Sequence, residues 1–154
     1  MTLDEGPLHR FGDWPVEAVP DAAAGVYTVF RGDEFIYVGM AGRGWSAADL
    51  AERKARERRT GLWERLNSHA SGRRSGDQFC VYVCDRFIVP YLTGNEQAAL
   101  AAGDLSLDAS TRAFIREELS FRFLEVPDGR SALDLERQVQ AGSLDIGKPL
   151  LNPI

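Results

Sequence analysis

Four groups of residues in this 154-residue chain have types and spacings that could do chemistry. Arg65 and His69 are four apart, so on a helix they stand one above the other on one face. A guanidinium beside an imidazole suits the holding of a phosphate; the plainer reading is a surface arginine and a capping histidine. Tyr27 and Tyr37 lie on two β-rich runs, with Gly39 inside the second. A glycine within a strand marks a bulge or a close backbone approach, whereas tyrosines alone are simply good strand residues. On a helix over Ser131–Ala141, Glu136 falls inside the arc of Ala132, Leu133, Leu135 and Val139. A carboxylate there must be paired with an arginine, protonated or bound to a metal. Asn152 is a lone polar side chain in the apolar tail 149–154, as an ordinary turn residue would be.

A net charge of −5 hides an uneven distribution. Arg53, Lys54, Arg56, Arg58, Arg59, Arg65, Arg73 and Arg74 stand against only Glu57 and Glu64 within residues 53–74, a window of +6 that leaves −11 for the rest. A basic stretch on an acidic body is the footprint of a nucleic-acid surface, or else a solvated helix face.

The elements that must position these residues follow from pattern. Residues 26–31 and 35–40 read as a hairpin around Gly32, Asp33 and Glu34. A three-residue loop or a bulge puts both tyrosines on one face; a strict two-residue loop at Gly32 and Asp33 puts them on opposite faces. Ser46 can cap a helix over 47–59, and Leu62, Leu66 and Ala70 give a second short helix one buried stripe. Gly72 to Gly76 is a basic loop, and residues 79–89, apolar in their first half, read as a covered strand. Short helices over 96–102 and from Asp108 to about 118, a strand over 120–126 and a helix over 131–141 complete the chain. Residues 1–24 read as an arm laid over the domain. The class is α+β.

Length fits one domain. Composition is ordinary for a globular chain, with 44% apolar and 27% charged residues, which excludes a disordered one. No apolar stretch reaches the roughly 18 residues of a membrane span, and the acidic start, with Asp4 and Glu5, lacks the apolar core of a signal peptide. Cys80 and Cys84 make no disulfide framework and lack the histidine and cysteine neighbours of a zinc site, so they read as small buried hydrophobes. The glycines at 39, 42 and 44 do not form a dinucleotide loop. A soluble, cytoplasmic protein is expected.

Taken in order, Gly25-Val26-Tyr27, Tyr37-Val38-Gly39, Arg65 with His69, Glu136 and Asn152 resemble the GIY-YIG nuclease family of repair, homing and restriction endonucleases. The match runs from Gly25 to Asn152, and its force lies in the conjunction and order of five elements. The resemblance implies an α/β/α-type domain over 25–154, with about three antiparallel strands flanked by helices and residues 77–118 inserted before the last strand. It implies divalent-metal-dependent hydrolysis of phosphodiester bonds, most readily in DNA, with one Mg²⁺ or Mn²⁺ held by Glu136. Arg65 would neutralise charge on the phosphate, Tyr27 would orient or deprotonate a water with help from His69, and Tyr37 would position the phosphate. Asn152 would bond Tyr27 or the site water, and Gly25 and Gly39 would shape the site. Arg53, Lys54, Arg56, Arg58, Arg59, Arg73 and Arg74 would follow the nucleic-acid backbone.

Two departures stand out. Met40 occupies the place where many members carry a lysine, and a separate DNA-binding domain has no room here, which leaves targeting to a homodimer or a partner. The other expectations from different classes are a nucleic-acid-binding module of this fold without catalysis, and a protein-interaction domain whose basic window docks an acidic partner.

Overall fold

The computed structural model describes residues 2–154. In chain order the elements are β1 (His9–Arg10), β2 (Ala22–Arg31), β3 (Glu34–Ala41), α1 (Ala47–Ala55), β4 (Thr60–Gly61), α2 (Leu62–Ser71), α3 (Gln78–Val83), α4 (Gly94–Ala101), α5 (Leu107–Glu118), β5 (Leu119–Val126) and α6 (Gly129–Gln140). The main path of the sheet runs β1-β5-β2-β3, all antiparallel, and the two-residue β4 adds to β2 in parallel. This is an α+β fold with five strands where sequence suggests about three; the two extra ones are two-residue pairings too short to carry a pattern. Among the described residues no helix is long and apolar enough to cross a membrane.

The hairpin turns through Gly32 and Asp33 alone, because Arg31 pairs with Glu34. Between Val29 and Phe30 the register shifts, with Ile36 as the extra residue on β3. The bulge undoes the reversal that the tight loop imposes, so Tyr27 faces Gly39, Val29 faces Tyr37, and both tyrosines share one face.

The two faces of the sheet are packed separately. Tyr27, Val29, Leu119 and Phe121 meet Leu62, Leu66 and Ala70 of α2, Phe79, Cys80 and Val83 of α3 and Ile115 of α5. Val26, Phe30, Val38 and Met40 meet Ala132 and Val139 of α6 on the other side.

One expectation is overturned. Residues 79–89 are not a strand: α3 continues through a wide-turn stretch, Cys84–Ile88, into a 3-10 turn, Val89–Tyr91. Its buried residues, Phe79, Cys80, Val83 and Cys84, recur at helical spacing, and the Asp77 side chain caps the start by accepting from the Cys80 amide. β propensity loses here to a cap and a helical apolar face. The segment 77–118 contributes to the main core, where Phe79, Val83 and Ile115 are fully buried. Within residues 1–24, Phe11, Trp14 and Val19 are core residues, and residues 22–24 belong to β2.

Candidate active site

A cleft of about 500 Å³ opens at the end of β3, where α2 from one face of the sheet and α6 from the other come together. Tyr37, Gly39, Arg43, Glu64, Arg65 and Glu136 are among its walls. The Cβ stripe of α2 explains Arg65: Leu62, Leu66, His69 and Ala70 are buried against the sheet, while Arg65, one turn before His69, reaches out into the cleft. The α6 stripe likewise buries Ala132 and Val139 and leaves Glu136 half-buried at its edge.

Tyr27 is fully buried, its ring lying across Gly39 on the neighbouring strand. A Cβ at Gly39 would collide with the Tyr27 ring and hydroxyl, so only glycine permits this approach. Gly25 is constrained in the same way, between Leu62 and the Leu124 carbonyl. The Tyr27 hydroxyl lies 2.6 Å from His69 Nε2, and His69 Nδ1 lies 2.7 Å from Asp77 Oδ2. Asp77 also accepts from the Ser68 hydroxyl at 2.7 Å and from the Cys80 amide at 3.0 Å. Phe79 packs on the imidazole with ring centroids 4.5 Å apart. The histidine is therefore fixed at both nitrogens and on one side.

Electrostatics separate the cleft from what lies beneath it. Burial pushes the Tyr27 and Tyr37 phenols above their usual range; Arg65 opposes this, and Tyr37 for Tyr27, Tyr82 for Tyr37 and the Asp77 and Glu136 carboxylates for both add to it. Burial holds His69 below its usual value, so the ring is neutral at pH 7. Burial would raise the Asp77 carboxyl, but the hydrogen bonds from His69, Ser68 and Cys80 prevail and hold it at about 2. Burial raises the Glu136 carboxyl, and Arg43, Arg65 and Arg137 only partly offset this. The Arg65 guanidinium is held up chiefly by the Tyr27 and Tyr37 hydroxyls beside it, against its own partial burial.

Tyr37, Arg65 and Glu136 thus share one cleft, with Tyr27 and His69 enclosed directly beneath Gly39 in its wall. Asn152 does not join them. Its Oδ1 accepts from the Val38 amide at 3.2 Å and its Nδ2 donates to the Val38 carbonyl at 2.6 Å, so it pins the tail to the free edge of β3 instead of bonding Tyr27. Tyr27 itself has no exposed surface from which to touch a cleft water.

The basic window is less uniform than its charge suggests. Lys54 pairs with Glu125, Arg56 with Glu52, Arg59 with Asp21 and Arg74 with Asp108. All four pairs are well exposed, so each is worth at most about 1 kcal/mol and can exchange for a phosphate. Arg53 stacks on the Trp45 ring at 4.0 Å and meets Arg56 and Arg58 around a recess of about 150 Å³, bordered by Glu64, which also lines the cleft. Arg73 is exposed on the loop after α2.

Two site residues escape a reading of sequence. Asp77 sits in a loop, and nothing in its spacing from His69 marks it; the signal is its role as the cap of a helix that sequence presents as a strand. Arg43, flanked by two glycines of positive φ, Gly42 and Gly44, faces the cleft beside Met40 and supplies a cation where β3 itself has none. His69, Asp77 and Cys80 have ligand atoms within 4.8 Å of one another, a set that could hold a metal. Mutual hydrogen bonds already account for it: the Cys80 thiol, pushed up by burial and so neutral, donates to the His69 carbonyl at 3.6 Å. No family model matches the chain, and neither the curated proteins nor the solved structures hold a match to it.

Proposed function

We propose that the protein is a divalent-cation-dependent nuclease that hydrolyses phosphodiester bonds, most readily in DNA, and acts in the cytoplasm. The observation that carries this reading is the single cleft into which Tyr37, Arg65 and Glu136 project from three different elements, with the Tyr27–His69 pair beneath it. It is similar to the constellation that the resemblance to the GIY-YIG nucleases implies.

Glu136 fits one Mg²⁺ or Mn²⁺. Its carboxylate is a hard oxygen donor whose charge is incompletely compensated in a half-buried setting, and the cleft leaves room for water and phosphate to complete the shell. A bound cation there would supply charge neutralisation at the phosphate and the leaving oxygen. Arg65, raised from below by two phenols, is permanently cationic and offers donors to the phosphate oxygens. The Tyr37 hydroxyl, un-ionised at neutral pH, donates a hydrogen bond to the same group and holds it in place. Arg43, Arg53 and Arg58 extend the positive surface along the backbone of the nucleic acid.

The test is incubation of supercoiled plasmid with Mg²⁺ or Mn²⁺, comparing wild type with Glu136→Ala: nicking by the wild type alone is expected. The enclosed Tyr27 hydroxyl and Met40 in the cleft wall favour one second reading, a module that binds nucleic acid without cutting it. Salt-sensitive duplex binding without cleavage at any cation concentration would select it.

A further inference from the structure

The polar groups beneath the cleft form a chain with a direction. Asp77 is ionised and offers only acceptors, and its Oδ2 already takes the Ser68 hydroxyl. The contact at 2.7 Å therefore requires the proton on His69 Nδ1, and the neutral ring then has a bare lone pair at Nε2. The Tyr27 hydroxyl, 2.6 Å from that lone pair, must donate to it. The phenol proton is committed inward, so only the lone pairs of the enclosed Tyr27 oxygen are left for the nearby Arg65 guanidinium.

We propose that Asp77 is a positioning residue of this site: by fixing the Nδ1–H tautomer of His69 it leaves the buried Tyr27 oxygen as an acceptor for the neighbouring Arg65, which orients the guanidinium toward the phosphate. The inference rests on the nuclease reading. From Tyr27 through His69 to Asp77 each link is donor to acceptor, ending on a buried carboxylate, and the Arg65 guanidinium lies close by. Asp77 lies 2% exposed at its side chain, as does His69. The surroundings add no competing partner: Phe79 packs on the ring, Tyr37 meets its edge at 6.1 Å, Cys80 is a neutral thiol turned to a carbonyl, and Arg65 is the one cation from the same helix.

Asp77→Asn tests this with little change of shape. Asparagine is as good a helix cap as aspartate, so the bond from the Cys80 amide persists. Its amide NH₂ faces His69 Nδ1 and forces the proton to Nε2, which reverses the chain and turns the Tyr27 proton outward against Arg65. In serine-hydrolase triads the same replacement lowers turnover by about 10⁴-fold through the wrong tautomer. Here kcat is expected to fall by between about 10² and 10⁴-fold, with KM within a few-fold because Arg65 keeps its charge. Nitrogen-15 NMR of His69, in a His9→Gln background that leaves one histidine signal, should show the proton on Nδ1 in the wild type and on Nε2 in D77N.

An Nε2–H tautomer in the wild type overturns the proposal, as does a D77N protein whose tautomer switches while kcat does not. Should D77N not fold, Asp77→Ser keeps a capping oxygen but withdraws the acceptor from His69; unchanged kcat in that variant is equally fatal. A wild type that never cuts plasmid, its Nδ1–H tautomer intact, brings down the nuclease reading and the catalytic use of the chain together. A wild type that cuts, beside an equally active D77N, brings down the role of Asp77 alone.

Discussion

The two faces of the central sheet solve the same packing problem with different materials. Against α6, Val26, Phe30, Val38, Met40, Ala132 and Val139 make an apolar layer, and Thr28, between Val26 and Phe30 on the same strand face, keeps a buried hydroxyl without a partner. Against α2 and α3, the layer carries Tyr27, His69 and Asp77 bonded in series. The strands are the same and both faces carry a buried apolar cluster, so the hydrogen-bonded series is not something this sheet needs in order to be covered. It exists on the face from which Arg65 reaches the cleft.

The largest effects should come from the cleft. Glu136→Ala is expected to abolish cleavage while leaving nucleic-acid binding intact or tighter, because it removes a negative charge facing the phosphate. Arg65→Ala should lower cleavage by about 10²–10³-fold and weaken binding as well. Filter-binding and nicking assays on both variants check this pair; equal losses of binding, with a fall in melting temperature, would make Arg65 and Glu136 a structural pair and erase the distinction between the faces.

Next come substitutions that should move stability in opposite directions. Tyr27→Phe strips a donor from buried His69 Nε2 and should cost about 1–3 kcal/mol. Thr28→Val, of nearly the same shape, removes a buried hydroxyl that bonds nothing and should leave stability unchanged or raise it by about 1 kcal/mol. Urea titrations of the two variants give the signs directly; a loss in both would mean that Thr28 has a partner after all.

Acid should reach the two faces unequally. His69 is held below its usual value in the folded state, so the unfolded chain binds a proton that the folded chain refuses: stability is complete above the unfolded value near 6.5 and declines as pH falls through it. Asp77, at about 2 when folded against 3.8 otherwise, adds a second loss between those values, of about 2 kcal/mol. His9, also lowered by burial, acts with the same sign, so the melting curves belong in a His9→Gln background. There, His69→Gln should flatten the first decline, and an unchanged slope from pH 7 to 5 would refute its cause.

The smallest effects on folding should come from the basic surface. Neutralising Arg53, Arg56, Arg58 and Arg59 together should change stability by only tenths of a kcal/mol per residue. The same change should flatten the salt dependence of nucleic-acid binding by up to about 0.9 per lost phosphate contact. An unaltered slope would move the binding surface to Arg43 and Arg73.

What could be read from sequence was whatever depended on local spacing. The hairpin, the α2 stripe with Arg65 and His69 a turn apart, and Glu136 in the apolar arc of α6 are all set by residues a few positions from one another. What could not be read depended on tertiary competition. The run from Phe79 has strand-forming residues in an order that also suits a helix, and the choice falls to Asp77, which caps it while its other oxygen is engaged by His69. Asn152 was visible as an oddity, but its partner, the Val38 backbone, lies 114 residues away. The register of the hairpin turned on a single bulge, for which no residue in the loop gives a signal.

That tail has a consequence for the protein in company with copies of itself. β3 is the last strand of the sheet, and an unpaired strand offers a ladder of amides and carbonyls to any other chain that arrives. Here the Leu150 and Leu151 amides take the Phe35 and Ile36 carbonyls, and the Asn152 amide imitates one more rung at Val38. A few residues with no strand of their own thus act as a stopper on polymerisation. Removing them would uncover Phe35 to Val38 as a sticky ribbon and strip Leu151 from the main core, and the first symptom would be turbidity that grows with protein concentration.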